Sequence, residues 1–487
     1  MQNRPASHLY YGDNLEVLRA HVPSESVDLV YLDPPFNSNA TYNILFRSPT
    51  GASADAQIEA FEDSWHWNDT AEHAFDQVAR SGNTKAFDLL NAMRAFLGEN
   101  DMMAYLAMMA VRLLELHRVL KPTGILYLHC DPTASHYLKL LLDGVFGKAN
   151  FRNEIIWCYR KWSVTQGQFV RNHDVILFFS KENGRHVFNP LFTAPSPGTM
   201  KRWKGRKQVA TFEDGVRKAS SEADAEAQSA MPDWWEVSIL NPNSKERLGY
   251  PTQKPLALLD RIIAASSREG DMVLDPFCGC GTAVHAAQRL GRQWIGIDVT
   301  HLAISLIEKR MRAAFPGVAF TVEGAPKDLA SAQDLAHRDK YQFQWWAVSM
   351  VDAMPYGGKK KGADGGIDGI IYFKPDGKRT DKALVSVKGG DNVGVQMIRD
   401  LHSAMEREKA PIGIFLTKAL PTTAMEREAA AVGRFHAEAT GKSYARLQIL
   451  TLAELFQGKR PDIPLVDPAA AFKQAGREDT GVQAQLL

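Results

Sequence analysis

The sequence has no run of the ~18 apolar residues that a membrane span needs, and it opens on the polar stretch MQNRPASHLYYGD, where a secretory signal would be apolar. A soluble, cytoplasmic protein is the expectation, with no membrane partner. Cysteine is scarce: Cys130, Cys158, Cys278 and Cys280 are the only four in 487 residues. That fits a reducing compartment and argues against a disulfide framework. Cys278-x-Cys280 has no second Cys/His pair at zinc spacing, so small loop residues are expected there, not a metal site. Net charge is also nearly missing, at +1, but the balance hides MKRWKGRK, Met200 to Lys207, with five cations and a tryptophan in eight residues. Local charge, not the total, would meet a phosphate backbone. No internal repeat or low-complexity tract is visible. With 45% hydrophobic residues there is ample material for burial, and the length exceeds one typical core, so two or three domains are expected.

What is present is helix–strand alternation. Residues 8 to 36 read as a short strand, a turn at Gly12-Asp13-Asn14, a helix, and an apolar run (Val27 to Leu32) closed by Asp33-Pro34-Pro35-Phe36. Proline cannot continue a ladder, so this strand leaves its sheet at the carboxyl end, the edge where open α/β sheets bind ligands. Residues 37 to 100, with Trp65 and Trp67, are too long for a simple connection and are expected to be functional or lid-like. A helix from Met102 to Leu120 and strands at 124–130, 153–162 and 173–181 follow, and then periodicity is lost over 185–245, read as an inserted recognition segment. A helix at Pro251 to Ser266 precedes a strand, glycine loop, helix, strand and helix through DMVLDPFCGCGTAVHAAQRLG and WIGIDVTHLAISLIEKRM.

In LDPFCGCGT, Gly279 and Gly281 allow a sharp turn and close backbone approach to a ligand at a helix N-terminus. Asp298 lies nineteen residues beyond Gly279 at the end of the next strand, where an acid can bind a ribose hydroxyl pair. The loop has neither GxGxxG nor a Lys-Ser/Thr for phosphates. Asp275 would repel a pyrophosphate and suits a ligand with a cationic end, such as the ammonium or sulfonium of S-adenosyl-L-methionine.

DPPF followed by PTQKPLALLDRII and DPFCGCGT, in that order, resembles the β-class amino-methyltransferases that act on DNA, over roughly residues 8 to 312. The resemblance implies that Asp33 and the Pro34 carbonyl accept both protons of an exocyclic base amine and localise its lone pair toward the methyl group. It also implies that Pro34 and Pro35 hold that carbonyl rigidly and that Phe36 stacks on a base swung out of the duplex. Asp13 is placed near the cofactor's adenine, Lys254 near its methionine end, and Phe277 and Thr282 in the cofactor loop; on spacing alone Asp13 also reads as a turn residue and Lys254 as a solvated cap. Asp before Pro-Pro favours adenine N6, with cytosine N4 as the alternative. Lys201, Arg202, Lys204, Arg206 and Lys207 interleave with an aromatic, a mix suited to double-stranded DNA; a solvated basic loop is the plain alternative.

The composition of 316–340 suggests a helical linker. Beyond it, KGADGGIDGIIYF and ALVSVKGG resemble Mrr-type restriction endonuclease domains of the PD-(D/E)xK class, over roughly 340 to 455. There the resemblance implies Asp368 and Lys388 as nuclease residues and Asp368 as a ligand of Mg²⁺, which would activate water. Ser386 stands where Glu or Gln is usual, Gln342 and Gln344 where an acid is, and Asp364 is a spare ligand or a turn residue. One carboxylate holds Mg²⁺ weakly, so a DNA-binding or dormant module stands beside a working nuclease. The expected fold is thus α/β: a Rossmann-like S-adenosylmethionine-dependent methyltransferase domain (1–315, target recognition at 185–245) plus a smaller α/β PD-(D/E)xK-like domain (341–455) and a polar tail (456–487). A bifunctional restriction–modification enzyme, a homodimer and a partner subunit of a restriction–modification system all remain open.

Overall fold

The computed structural model describes residues 7–35, 66–161, 165–204, 228–241, 243–250, 252–356, 366–464, 466 and 476–478, and the backbone alone over 41–47, 53–62, 206–213 and 216–226. Phe36, Trp65 and Asp364 lie outside the described residues. Nine strands form the larger sheet, in the order Trp234–Glu236, Phe151–Cys158, His173–Ser180, Leu120–Cys130, Val27–Leu32, Met272–Asp275, Gln293–Asp298, His8–Tyr11 and Thr321–Glu323. All its pairs are parallel except the two made by His173–Ser180. Val27–Leu32 sits at the centre and is apolar on both faces because helices cover both.

One face packs on Asn14–His21, Asp69–Arg80, Thr84–Leu97, Asp101–Val119 and Ser135–Phe146. The other packs on Leu256–Ser266, Thr282–Arg289 and His301–Ala314. This is the three-layer, doubly wound α/β arrangement expected from the alternation.

Three stretches depart from the sequence reading. The lid-like segment 37–100 is in large part scaffold: a hairpin, Thr41–Arg47 with Ser53–Glu62, then two helices whose Phe75, Val78, Leu90 and Met93 enter the core. The aperiodic segment 185–245 contains the helix Pro197–Trp203 and a hairpin, Arg206–Glu213 with Val216–Glu226, and its end supplies the edge strand Trp234–Glu236. The linker 316–340 first adds Thr321–Glu323 to the sheet beside His8–Tyr11 and only then forms the helix Leu329–Arg338. The edge strands in the last two were hidden for the same reason: elements of three residues are too short to show a period.

The second sheet runs Met354–Pro355, Gly369–Phe373, Asp381–Lys388, Ile412–Thr417 and Leu447–Thr451. Lys340–Met350 packs on one face and Val395–Arg407 and Thr423–Ala431 on the other. The two units share a buried joint. Trp345 and Met354 lie in one apolar cluster with Tyr250, Cys280, Leu302 and Leu306. Gln342 Oε1 accepts from the His301 amide at 3.2 Å, and Lys309 pairs with Asp352 at 3.0 Å. The expected polar tail returns to the first unit: the Glu478 carboxylate takes His285 Nε2 at 2.8 Å and its amide donates to Ala314. Among the described residues no helix is long and apolar enough to cross a membrane.

Candidate functional site

The sheet brings the two singled-out loops together. Met272–Asp275 lies directly beside Val27–Leu32, with Leu274 opposite Val30, so Asp33 and Asp275 leave the sheet at the same edge. On its far side, Gln293–Asp298 places Gly296 opposite Asp275, and His8–Tyr11 then places Tyr11 opposite Asp298. Parallel neighbours end together, so the carboxyl ends of these four strands gather Asp13, Asp33, Asp275 and Asp298 around one cavity of about 290 Å³. Pro34, Pro35, Lys254, Phe277, Gly279 and Thr282 complete its predicted lining.

Gly281 sits just behind the cavity wall. Its φ of +73° is a conformation L side chains rarely adopt, and a Cβ there would lie 2.8 Å from Ile307 Cγ1. Asp298 braces the loop: Oδ2 accepts from the Gly279 amide at 2.9 Å, and Oδ1 accepts from the Thr300 amide and hydroxyl at 2.9 and 2.8 Å. From the other side the buried Arg310 donates to the Cys280 carbonyl at 2.9 Å and to Thr282 Oγ1 at 3.3 Å. Its Nε bonds His285 Nδ1 at 3.1 Å, which carries the contact on to Glu478. Sequence reading missed Arg310 and His285, because a helix-borne Arg and His carry no motif.

The cavity is crowded with carboxyl groups. Burial pushes the Asp275 carboxyl well up, and Asp33 and Asp298 push it further, against the pull of Lys254 and of the Phe277 amide on Asp275 Oδ1. A cationic ligand would relieve that repulsion, and the glycine loop leaves room for its body, so the residues present fit S-adenosyl-L-methionine.

Burial pushes the Asp298 carboxyl up to about 6. Ribose hydroxyls donate to the ionised form, so cofactor affinity should rise about tenfold from pH 5 to pH 7. Chain stability should move the other way. With the folded-state value raised above the unfolded one near 4, the native chain holds the extra proton between about pH 4 and 6, and stability falls as pH rises through that window. Calorimetric titration checks the first expectation; an affinity flat from pH 5 to 7 counts against Asp298 as a ribose ligand.

Two predicted residues have partners the sequence did not indicate. Lys254, placed beforehand at the cofactor's methionine end, puts Nζ 2.5 Å from Asp33 Oδ2 and is buried, not a solvated cap. Asp13 caps Asn14–His21 through the amides of Leu15 and Glu16, and its second oxygen accepts from Arg112 at 2.7 Å. Arg112 is buried and also bonds Asn14 Oδ1, while Asn14 Nδ2 donates to the Pro276 carbonyl. The Arg112–Asn14 bridge, also missed, ties the first turn to the cofactor loop.

Elsewhere, Lys201 and Arg202 are exposed on the helix Pro197–Trp203, Lys204 follows it, and Arg206 and Lys207 begin a hairpin of which only the backbone is described. In the second unit Asp368 precedes Gly369–Phe373 and Lys388 ends Asp381–Lys388, its strand neighbour. Asp368 Oδ1 accepts from Gln344 at 2.7 Å and Oδ2 from the Val387 amide at 2.6 Å. Among the described residues no three His, Cys, Asp or Glu side chains converge as metal ligands.

Residues 27–309, more than half of the chain, match the model of the N6/N4 DNA methylase family, and residues 335–439 match that of a restriction endonuclease family. The chain is 28% identical over 359 residues to the type II methyltransferase M.EcaI of Enterobacter cloacae, an alignment covering 63% of this chain and 69% of that one. It is 26% identical over 310 residues to the DNA adenine methyltransferase YhdJ of Escherichia coli (strain K12), covering 63% and 84%. A putative DNA modification methylase of Thermus thermophilus, solved with S-adenosyl-L-methionine, is 19% identical, with a TM-score of 0.37, over 66% of this chain and 99% of that one.

Proposed function

Because the chain belongs to the N6/N4 DNA methylase family, we propose that it is a site-specific DNA adenine methyltransferase, carrying a methyl group from S-adenosyl-L-methionine to the exocyclic N6. One observation carries the reading: Asp33 and the glycine loop, at Gly279 and Cys280, border the same cavity, so an amine held by the first would face a donor held by the second. The bound cofactor supplies an electrophilic methyl on a sulfonium. Everything else is the work of this chain's residues. The Asp33 carboxylate and the Pro34 carbonyl accept the two amine protons, which returns to nitrogen a lone pair otherwise spread into the ring. Lys254 Nζ pairs with Asp33 Oδ2 and fixes the direction of the carboxylate.

Asp298 takes the ribose, Asp275 faces the cationic end, and Phe277 and Thr282 close the loop. Adenine over cytosine rests on Asp33 standing before Pro34-Pro35 and on the likeness to an adenine methyltransferase. Incubation with unmethylated DNA and S-adenosyl-L-methionine, followed by digestion to nucleosides and mass spectrometry, should yield N6-methyladenine. N4-methylcytosine would correct the base, and no methylated nucleoside would remove the reading.

The substrate is double-stranded DNA, gripped by the 185–245 segment. Charge reversal at Lys204 and Arg206 should weaken binding at least about tenfold at 0.1 M salt and flatten its salt dependence, since each lost phosphate contact removes close to one unit of slope. An unchanged slope in a filter-binding titration would move recognition elsewhere.

A second activity is suggested by the match at 335–439 and by Asp368 and Lys388 on adjacent strands. If the domain cuts DNA with Mg²⁺, Lys388→Ala should abolish cleavage and leave methylation intact. With Asp368 already accepting from Gln344 and Val387, cleavage is expected to be slow beside methylation, and rapid Mg²⁺-dependent nicking would overturn that expectation.

A further inference from the structure

Behind Asp33 stands a buried polar file that the transfer step does not use. Lys254 occupies Asp33 Oδ2; Oδ1 faces His129 Nδ1 at 3.9 Å. The register explains the placement. Leu32 pairs with Leu128, so the residues that follow, Asp33 and His129, come side by side as their strands end. The Tyr31 hydroxyl lies 2.9 Å from the same His129 nitrogen. On the far side His129 Nε2 meets Asp174 Oδ2 at 3.3 Å, and Asp174 Oδ1 accepts from the Tyr159 hydroxyl at 2.8 Å. The imidazole is 0% exposed and packed against the Trp157 edge, whereas the Asp174 side chain is 15% exposed. The Asp33 side chain at the cavity end is 17% exposed, so the file has an outlet at each end with the buried imidazole between them.

A carboxylate can only accept, so Nε2 donates to Asp174 Oδ2; in the neutral imidazole Nδ1 is then the acceptor, 2.9 Å from the Tyr31 hydroxyl and 3.9 Å from Asp33 Oδ1. Methyl transfer needs such an acceptor. As the amine lone pair forms the N–C bond, the C–S pair returns to sulfur, and the nitrogen is left with two protons and a positive charge. One proton must leave to restore the amine. Asp33 is a poor final resting place, because a proton left on it would break its ion pair with the Lys254 ammonium.

Resting on the methyltransferase reading, we propose that His129, held by Asp174, takes through Asp33 the proton released by the methylated amine. Asp33 is left ionised for the next cycle, and the charge sits on an imidazolium paired with Asp174 until the proton passes to water. Only one proton moves, and no co-reactant is needed. His129 acts through Asp33, as a relay residue. The titratable and charged groups facing it are Tyr31 and Asp33 from one neighbouring strand, Asp174 from the other, Tyr159 beyond Asp174 and Lys254 across Asp33, with Cys130 and Asp131 next on its own chain.

The test is single-turnover transfer of labelled methyl to DNA, at pH 5 to 9 and saturating S-adenosyl-L-methionine so that the Asp298 effect on affinity drops out, by the full chain and two variants. Wild-type rate should rise with pH along an acid limb. His129→Gln, which keeps the bulk and a donor toward Asp174, should lower the rate about 100-fold at neutral pH and remove the limb, with S-adenosyl-L-methionine affinity within about twofold of wild type. Asp174→Asn, less buried and so safer for folding, should also lower the rate with cofactor affinity unchanged, because the imidazolium loses its partner. Wild-type rate and profile in both variants would overturn the relay. So would a rate lost together with cofactor affinity while the limb stays in place, the mark of a purely structural role. A wild-type protein that transfers no label would instead overturn the methyltransferase reading itself.

Discussion

Asp33→Ala is expected to lower methyl transfer by about 10³-fold while S-adenosyl-L-methionine binds within about twofold of wild type. The separation follows from where the carboxylate sits. Asp33 closes its own strand and reaches the cavity beside the glycine loop, but the loop's hydrogen bonds run to Asp298 and Arg310. On the proposed mechanism, deleting Asp33 removes the acceptor that localises the amine lone pair and leaves the cofactor brace in place. Asp33→Asn refines the test, because an amide keeps the shape but presents a donor and gives up the ion pair with Lys254. It should recover little activity. Calorimetry with the cofactor and a transfer assay with DNA read the two halves apart, and a parallel loss of cofactor affinity would count against Asp33 acting on the amine.

The second large effect is expected at Gly281. An added Cβ meets two obstacles at once: a φ of +73° and an Ile307 side chain whose Cγ1 would be 2.8 Å away. Left-handed backbone costs an L residue about 1–2 kcal/mol, and overpacking a filled site about 1–3. Gly281→Ala should therefore lose about 2–5 kcal/mol of stability, and cofactor affinity should fall at least about tenfold as the turn opens. The two-part readout is a melting curve and a binding titration. An alanine variant that melts and binds like wild type would show that the loop tolerates another path, and the cradle would have to be sought at Gly279.

Much of this site was legible in the sequence because it is local. Asp33-Pro34-Pro35 and Cys278-Gly279-Cys280-Gly281 each announce a strand that stops and a chain that turns. The acid nineteen residues after Gly279 needed only the length of one helix and one strand to be placed. What escaped is made by side chains far apart in the chain. Lys254 and Asp33 are 221 residues apart and Arg112 and Asp13 are 99 apart, and no period or motif links such pairs. His129 lies in GILYLHC, a run that reads as core, and it is core; its role depends on what stands at the ends of the neighbouring strands. The linker and tail were misjudged for another reason. Thr321–Glu323 and residue 478 matter through single contacts, and composition averages those away.

The joint between the two units limits how the protein can be taken apart. Tyr250 stands 3.3 Å from where a Gly279 side chain would begin, and it shares its apolar cluster with Trp345 and Met354 of the second unit. A chain ended at residue 315 would leave Leu302 and Leu306 wet and Tyr250 without its backing, and would lose Glu478 behind His285. The endonuclease-like unit is thus part of the masonry of the cofactor cavity whether or not it cuts anything. A lineage in which its nuclease decayed would still be obliged to keep its fold.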